Sequence, residues 1–182
     1  KEVKMGNHGT TTFYGDELIT ATQDQNFDSA GVGNWVAKDT TGADVVIANV
    51  GSKLQVTTTT DNEPEGASLP IASIDGAGGA YPIVVGRTYR ISMDLDVDAG
   101  TPAMSIQLGN DTTSSFNINT TESTYDENHF GYLTPTDDTS ALTIRSVSAT
   151  ALVFTVDNVS VKEVGVATGW TTADAEPLIP QT

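Results

Sequence analysis

The sequence predicts an all-β protein: an antiparallel jelly-roll β-sandwich with an extended arm at each end. Three observations carry this. Apolar residues make up only 37% of the 182, while Thr is abundant and 17 Gly and 7 Pro punctuate the chain; that mixture suits short strands joined by turns. Turn signals recur roughly every 8–12 residues, the spacing of sandwiches and barrels. No window of useful length shows apolar residues at helical spacing. The length suffices for one domain with a real core. We place an N-terminal arm at 1–16, the sandwich at 17–164 and a C-terminal arm or linker at 165–182.

In chain order, "KEVKMGNHGTTTFYGD" is polar without periodicity, apart from the adjacent Phe13 and Tyr14. "ELIT" (17–20) can form a first short strand, and "QDQNFDSAGVGNW" (23–35) is a loop with aromatic anchors at Phe27 and Trp35. "DVVIANV" (44–50) and "SKLQVTTTT" (52–60) read as two strands about a turn at Gly51. "SLPIASI" (68–74) is a strand that Pro70 confines to an edge or a bulge. The cleanest signal lies in "GRTYRISMDLDVDAG" (86–100), where Tyr89, Ile91, Met93, Leu95 and Val97 alternate with Arg90, Ser92, Asp94, Asp96 and Asp98. One face is buried and the other wet. Strands follow in "AMSIQLG" (103–109), "SSFNINT" (114–120), "NHFGYLTPT" (128–136) and "SALTIRSVS" (140–148).

The closing strand, "ALVFTVDNVSVKEV" (151–164), changes phase. Phe154 and Val156 keep a two-residue rhythm on even positions, and Val159 and Val161 keep it on odd ones. The slip falls at Asp157–Asn158 and predicts a β-bulge. The residues leave two readings of it open. The side chains satisfy local backbone groups, or they help to hold a cation.

With no Cys, neither disulfides nor thiolate chemistry contribute. A net charge of −16, from 24 acidic against 8 basic residues, repels phosphate backbones and anionic bilayers. No apolar run approaches transmembrane length, and no signal peptide is visible. The chain begins at Lys1 and not at Met, which suggests cleavage or a piece of something longer; "KEV" at 1–3 recurs at 162–164, a weak hint of repetition.

Chemistry-bearing motifs are few. "DLDVDAG" (94–100) imitates a Ca²⁺ loop but has Ala99 where the turn wants Gly and Ser105 where a bidentate Glu is needed, so its aspartates read as a solvated strand face. His8 and His129 are isolated, and Asn110, Asn119 and Asn158 stand in glycosylation-type triplets that a Thr-rich chain makes by chance. No nucleophile elbow, phosphate loop or zinc-protease motif occurs. Acidic residues abound without any pair standing out as a glycosidase couple, so we expect no enzyme. Trp35, Tyr81, Tyr125, Phe130 and Tyr132 are candidates for a sugar-stacking platform, or else fill the core and subunit contacts.

Taken in order, "NFDSAGVGNW" (26–35), "GSKLQVTTTT", "VVGRTYRISMDLDV" (84–97), "SALTIRS" (140–146) and "FTVDNVSVKEV" (154–164) resemble the jelly-roll carbohydrate-binding-module-like domains. Gln25–Asn26 stands where Gly–Asp is usual there, and Asp28 replaces Glu. The flanks "GNHGTTTFYGDELI" and "VATGWTTADAEPLIPQT" resemble segments bordering such domains in virion proteins of tailed phages. The resemblance implies several things. A structural Ca²⁺ can lie between the opening loop and the closing strand, with Asp28, Asp157 and Asn26 as ligands; no other cofactor is required. If this chain binds sugar, the expected contacts among its own aromatic residues are Trp35, Tyr81, Tyr125 and Tyr132. The first function expected is a non-enzymatic virion structural or appendage module, extracellular or on the virion. It would assemble as a homo-oligomer, or with other virion proteins, through Phe13, Tyr14, Trp170, Leu178 and Ile179 in the arms. The alternative is an adhesin that binds cell-surface glycans, with no nucleic-acid partner and no membrane insertion.

Overall fold

The computed structural model describes residues 14–39, 44–59, 64–76, 79, 83–99, 103–109, 115–119, 125–136, 141–147 and 151–165. Within them the chain forms eleven strands, a single helical turn and a 3₁₀ turn. The elements are β1 (Tyr14–Glu17), α1 (Thr22–Gln25), β2 (Val36–Lys38), β3 (Val46–Val50), β4 (Lys53–Thr57), β5 (Gly66–Pro70), the 3₁₀ turn (Ile71–Ser73), β6 (Tyr89–Ala99), β7 (Ala103–Leu108), β8 (Ser115–Asn119), β9 (Tyr125–Leu133), β10 (Ala141–Ser146) and β11 (Val153–Val164).

Two antiparallel sheets make the sandwich that the sequence predicts. Sheet A runs β3-β4-β11-β6-β9, with β1 also paired to β11; sheet B runs β2-β5-β10-β7-β8. β4 pairs with the first half of β11 and β1 with its last residues, so the two share one side of that strand while β6 runs along the other. β2 approaches β3 and β8 approaches β9, closing both flanks. The alternation read from β6 is realised: Tyr89, Ile91, Met93, Leu95 and Val97 are buried against Leu69, Met104, Ile106, Leu108, Leu142 and Ile144 of sheet B. Burial of these side chains is the main stabilising term.

Several elements depart from the sequence reading. The first strand is β1, three residues before "ELIT", because Leu18 and Ile19 leave the strand to enter the core. "SLPIASI" is split: its strand ends at Pro70, beyond the last residue paired with β2, and Ile71–Ser73 wind into the 3₁₀ turn. Pro cannot donate to a ladder, so it stands where β5 stops. The turn at Gly51 is a two-residue hairpin with φ of +61° at Gly51 and +62° at Ser52, between the paired Val50 and Lys53. Those angles fit the type I′ turn, whose twist matches antiparallel strands.

The slip in β11 is a one-residue bulge. Asp157 pairs with Asp94 and Ser160 with Ser92, so three steps along β11 match two along β6. Asn158 is the inserted residue; it is exposed and left-handed, with φ +50°. Asn tolerates that conformation better than most non-Gly residues. Phe154 and Val156 before it and Val159 and Val161 after it are all buried. Glu17 of β1 supports the far side: its carboxylate accepts the N–H groups of Ile19 and Val161 and the hydroxyl of Ser160.

Candidate ligand-binding surface

The outer face of sheet A is charged along most of its length, and aromatic at one end. Residues alternate along β6 and β9, so the register that buries Tyr89 and Leu133 turns Arg90 and Tyr132 outward as a cross-strand pair, with Ser92 and Phe130 as the next. Tyr14 of β1 lies three strands from β9, with β11 and β6 between them. Its hydroxyl nevertheless meets that of Tyr132 at 2.7 Å. The two phenol side chains therefore extend toward each other over the intervening strands. That hydrogen bond is the largest cause holding the Tyr14 phenol above its ordinary pKa, ahead of burial and the charge of Tyr132.

Arg90 lies within this span. Its guanidinium carbon is 5.6 Å from the centroid of the Tyr14 ring and 4.9 Å from that of Phe130, and Nη1 donates to Ser92 Oγ at 3.0 Å. Phe130 and Tyr132 meet edge to face with centroids 6.1 Å apart. The cation–π contacts and the T-shaped pair hold four long side chains in one arrangement. All three rings stay wet: Phe130 is 56% exposed, Tyr132 47% and Tyr14 37%. An exposed, ordered group of rings beside a cation and hydroxyls offers stacking faces and hydrogen-bond donors together.

Of the sugar-stacking candidates, Tyr132 is in this patch. Trp35 is only 3% exposed, so it offers no face to a ligand; its ring packs at 6.3 Å from Phe27, and Nε1 donates to Asp24 O. Tyr125 occupies the β9 position opposite Val97, and its side chain lies outside the described residues, as does all of Tyr81. Of the arm anchors, Tyr14 rests on its own sheet, while Phe13, Trp170, Leu178 and Ile179 lie outside the described residues. Arg90 escaped the sequence reading, because its only signal there was a place on the wet side of β6. The pairing with Phe130 and Tyr132 comes from a partner strand 40 residues away.

The candidate cation ligands come together only in part. Asn26 Nδ2 donates to Asp28 Oδ2 at 2.8 Å, and Asn158 Nδ2 donates to Asp94 Oδ2 at 2.7 Å. Asp157 Oδ1 accepts the N–H of Asn158 at 2.8 Å, the local satisfaction expected of a bulge. Burial raises the pKa of Asp157, the neighbouring Asp94 and Asp28 raise it further, and the Asn158 N–H and Lys53 oppose them. Lys53 also pairs with Asp96 at 3.8 Å. Among the described residues no group of three His, Cys, Asp or Glu is arranged to hold a metal ion. The opening loop is pinned instead by amide nitrogens. Asn49 Nδ2 faces the carbonyl oxygens of Phe27, Ser29 and Gly31 at 2.6, 2.7 and 2.9 Å, and Gln23 Nε2 donates to Ser29 O and Gly31 O. Amide donors thus face the carbonyl oxygens of this loop.

No family model matches the chain, and no curated protein matches it. Solved structures do. The xylan-binding CBM22-1 domain of Xyn10C from Paenibacillus barcinonensis is 17% identical over 84% of this chain and 97% of that one, with a TM-score of 0.53. The CBM1 domain of BiXyn10A is 12% identical over 78% of this chain and 95% of that one, with a TM-score of 0.50. The enzymatically active domain of tailspike protein 4 from bacteriophage CBA120 is 14% identical over 78% of this chain and 22% of that one; at a TM-score of 0.45 it carries no argument. At such identities the likeness shows fold alone: the chain has the antiparallel β-sandwich architecture of carbohydrate-binding modules.

Proposed function

We propose that this chain is a non-catalytic carbohydrate-binding module and that the outer face of sheet A, at Tyr14, Arg90, Phe130 and Tyr132, is its ligand platform. The exposed ring cluster carries the reading. Pyranose rings have apolar C–H faces that stack on aromatic rings, while their hydroxyls bond to flanking polar groups. An ordered platform costs less entropy on binding than one that must assemble. A xylan-binding domain among the structural neighbours supports the ligand class by fold analogy only. Such a module works outside the cell or on a virion, and the absence of catalytic motifs agrees with a binding role.

The test is affinity electrophoresis or calorimetry against a panel of soluble polysaccharides. Phe130→Ala and Tyr132→Ala should each weaken binding about three- to tenfold, the worth of one stacked ring, with the melting temperature unchanged. A wild-type chain that binds no glycan in the panel, or variants that bind as well as wild type, would sink the platform.

The resemblance of the flanks to phage virion segments favours a second reading: an appendage block that assembles through its arms. It predicts oligomers that dissociate when residues 1–13 and 166–182 are removed. A sugar-binding block inside an appendage satisfies both readings.

We also read the opening loop and the closing bulge as metal-free, the loop held by Asn49 and Gln23 and the bulge by Asn158 in place of Ca²⁺.

A further inference from the structure

The outer face of sheet B differs in kind from that of sheet A. Its central rows are built from small residues: Ser68 pairs with Thr143 and Thr143 with Gln107, while Gly66 pairs with Arg145 and Arg145 with Ser105. Ser68, Thr143, Ser105 and Gln107 are buried although they point away from the core. Gly66 has no room for a side chain, since a Cβ there would lie 2.0 Å from Ile144 O. Arg145 thus rises from a polar floor between a glycine and a serine.

This arginine is unserved. Its Nε is shielded from water and meets no acceptor. It takes no part in the two ion pairs among the described residues, Lys53–Asp96 and Arg87–Glu163. No Asp or Glu occupies an outward position on β2, β5, β7 or β10; the other cation in the row is Lys38, opposite Gly66. Burial alone lowers the Arg145 pKa, with no carboxylate acting on it. In a chain with 24 acidic residues, a partly desolvated guanidinium on a face whose described strands carry no carboxylate is a conspicuous exception. A guanidinium stays charged at any physiological pH, and its planar fork matches a carboxylate. A buried charge without a counter-charge is costly, and a ligand that supplies one recovers the cost.

We propose that the outer face of sheet B carries a second ligand site, centred on the guanidinium of the half-buried Arg145 above the buried floor of Ser68, Thr143, Ser105 and Gln107, that takes the carboxylate of an acidic sugar. The saccharide part rests on the proposed carbohydrate-binding function; the carboxylate part rests on Arg145 alone. The floor itself is closed: the Ser68 and Thr143 hydroxyls bond to each other at 2.9 Å, which leaves the guanidinium as the group that meets the ligand. The net charge of −16 repels dense polyanions at long range, so the site suits isolated carboxylates on an otherwise neutral glycan.

The Nε–H resonance of Arg145 gives a direct readout. Titrating the full chain with D-glucuronate should shift that resonance to saturation, while D-glucose at the same concentration leaves it in place. Glucuronoxylan should bind at least about tenfold more tightly than unsubstituted xylan, the worth of one charge-assisted hydrogen-bond pair. Arg145→Gln should abolish that preference, and Arg145→Lys should weaken it, since the ammonium lacks the fork. Both should melt no lower than wild type, because an unserved charge is removed or kept as a simpler cation. Tyr132→Ala should leave the glucuronate shift intact. No shift with glucuronate, or an equal one with glucose or inorganic phosphate, overturns the proposal. If no neutral glycan binds but the glucuronate response persists, the sheet A platform fails and the Arg145 site stands.

Discussion

At the residue scale, three side chains stand in conflict with their surroundings. Phe27 is fully buried yet left-handed, with φ +52°, a conformation costly for a bulky residue. The chain holds it there because its ring packs against Trp35 while its carbonyl accepts from Asn49. Arg145 lacks an acceptor for Nε. Asp157 sits between Asp94 and Asp28, and its carboxyl is held above the ordinary value by burial first and by those charges next. Because the folded chain binds this proton more tightly than the unfolded one, Asp157 lowers stability at neutral pH. That cost fades as pH falls through its raised pKa toward 3.8. Asp157→Asn keeps Oδ1 as the acceptor for the Asn158 N–H and removes the charge. It should raise the melting temperature at pH 7 by about 1–2 °C, and the gain should shrink by pH 4. A variant that melts lower at pH 7 would show the carboxylate to be an ionic ligand.

At the element scale, the opening loop is fixed by a buried carboxylate and by amides from outside it. Asp24 is buried and accepts from Asn34 N at 2.6 Å and Asn34 Nδ2 at 2.8 Å, while its carbonyl receives the Trp35 indole. Gly33, with φ +62°, makes this possible: a Cβ there would lie 2.0 Å from Asp24 Oδ1. Gly33→Ala should cost about 2 kcal/mol or more, seen as a lower denaturant midpoint with an unchanged slope. The amides of Asn49 and Gln23 bind the same loop, so EDTA or millimolar CaCl₂ should leave the melting temperature unmoved; a drop of several degrees with EDTA would refute the metal-free reading. Most of this scale was legible in the chain. The alternation in β6 and the phase slip in β11 follow from a two-residue period and mark both strands and the bulge. Trp35 and Phe27 were visible as loop anchors. What was not legible depends on pairing across long gaps. Nothing local says that Tyr14 reaches Tyr132, or that Gly66 and Ser105 flank Arg145, because register is set by the whole sheet.

At the scale of the whole molecule, charge is unevenly spread. Asp94, Asp96 and Asp157 gather on the outer face of sheet A, and the described strands of sheet B present none outward. Repulsion among carboxylates stresses the compact state and is screened by salt. Raising NaCl from about 10 to 150 mM, where the screening length falls from about 30 to 8 Å, should raise the melting temperature by a few degrees; a fall would mean that ion pairs outweigh repulsion. The pairing of β1 with β11 has a mechanical consequence. Tyr14 lies opposite Val164, so the first and last described strands bring the two ends of the sandwich to the same pole. Tension applied through those ends would not shear the pair, which would load all its hydrogen bonds at once. It would peel β1 away one bond at a time, beginning at Tyr14, and the Tyr14–Tyr132 contact would be among the first to yield. A module tethered at both ends should therefore give way at low force, and pulling would part Tyr14 from its ring partners before the core opens.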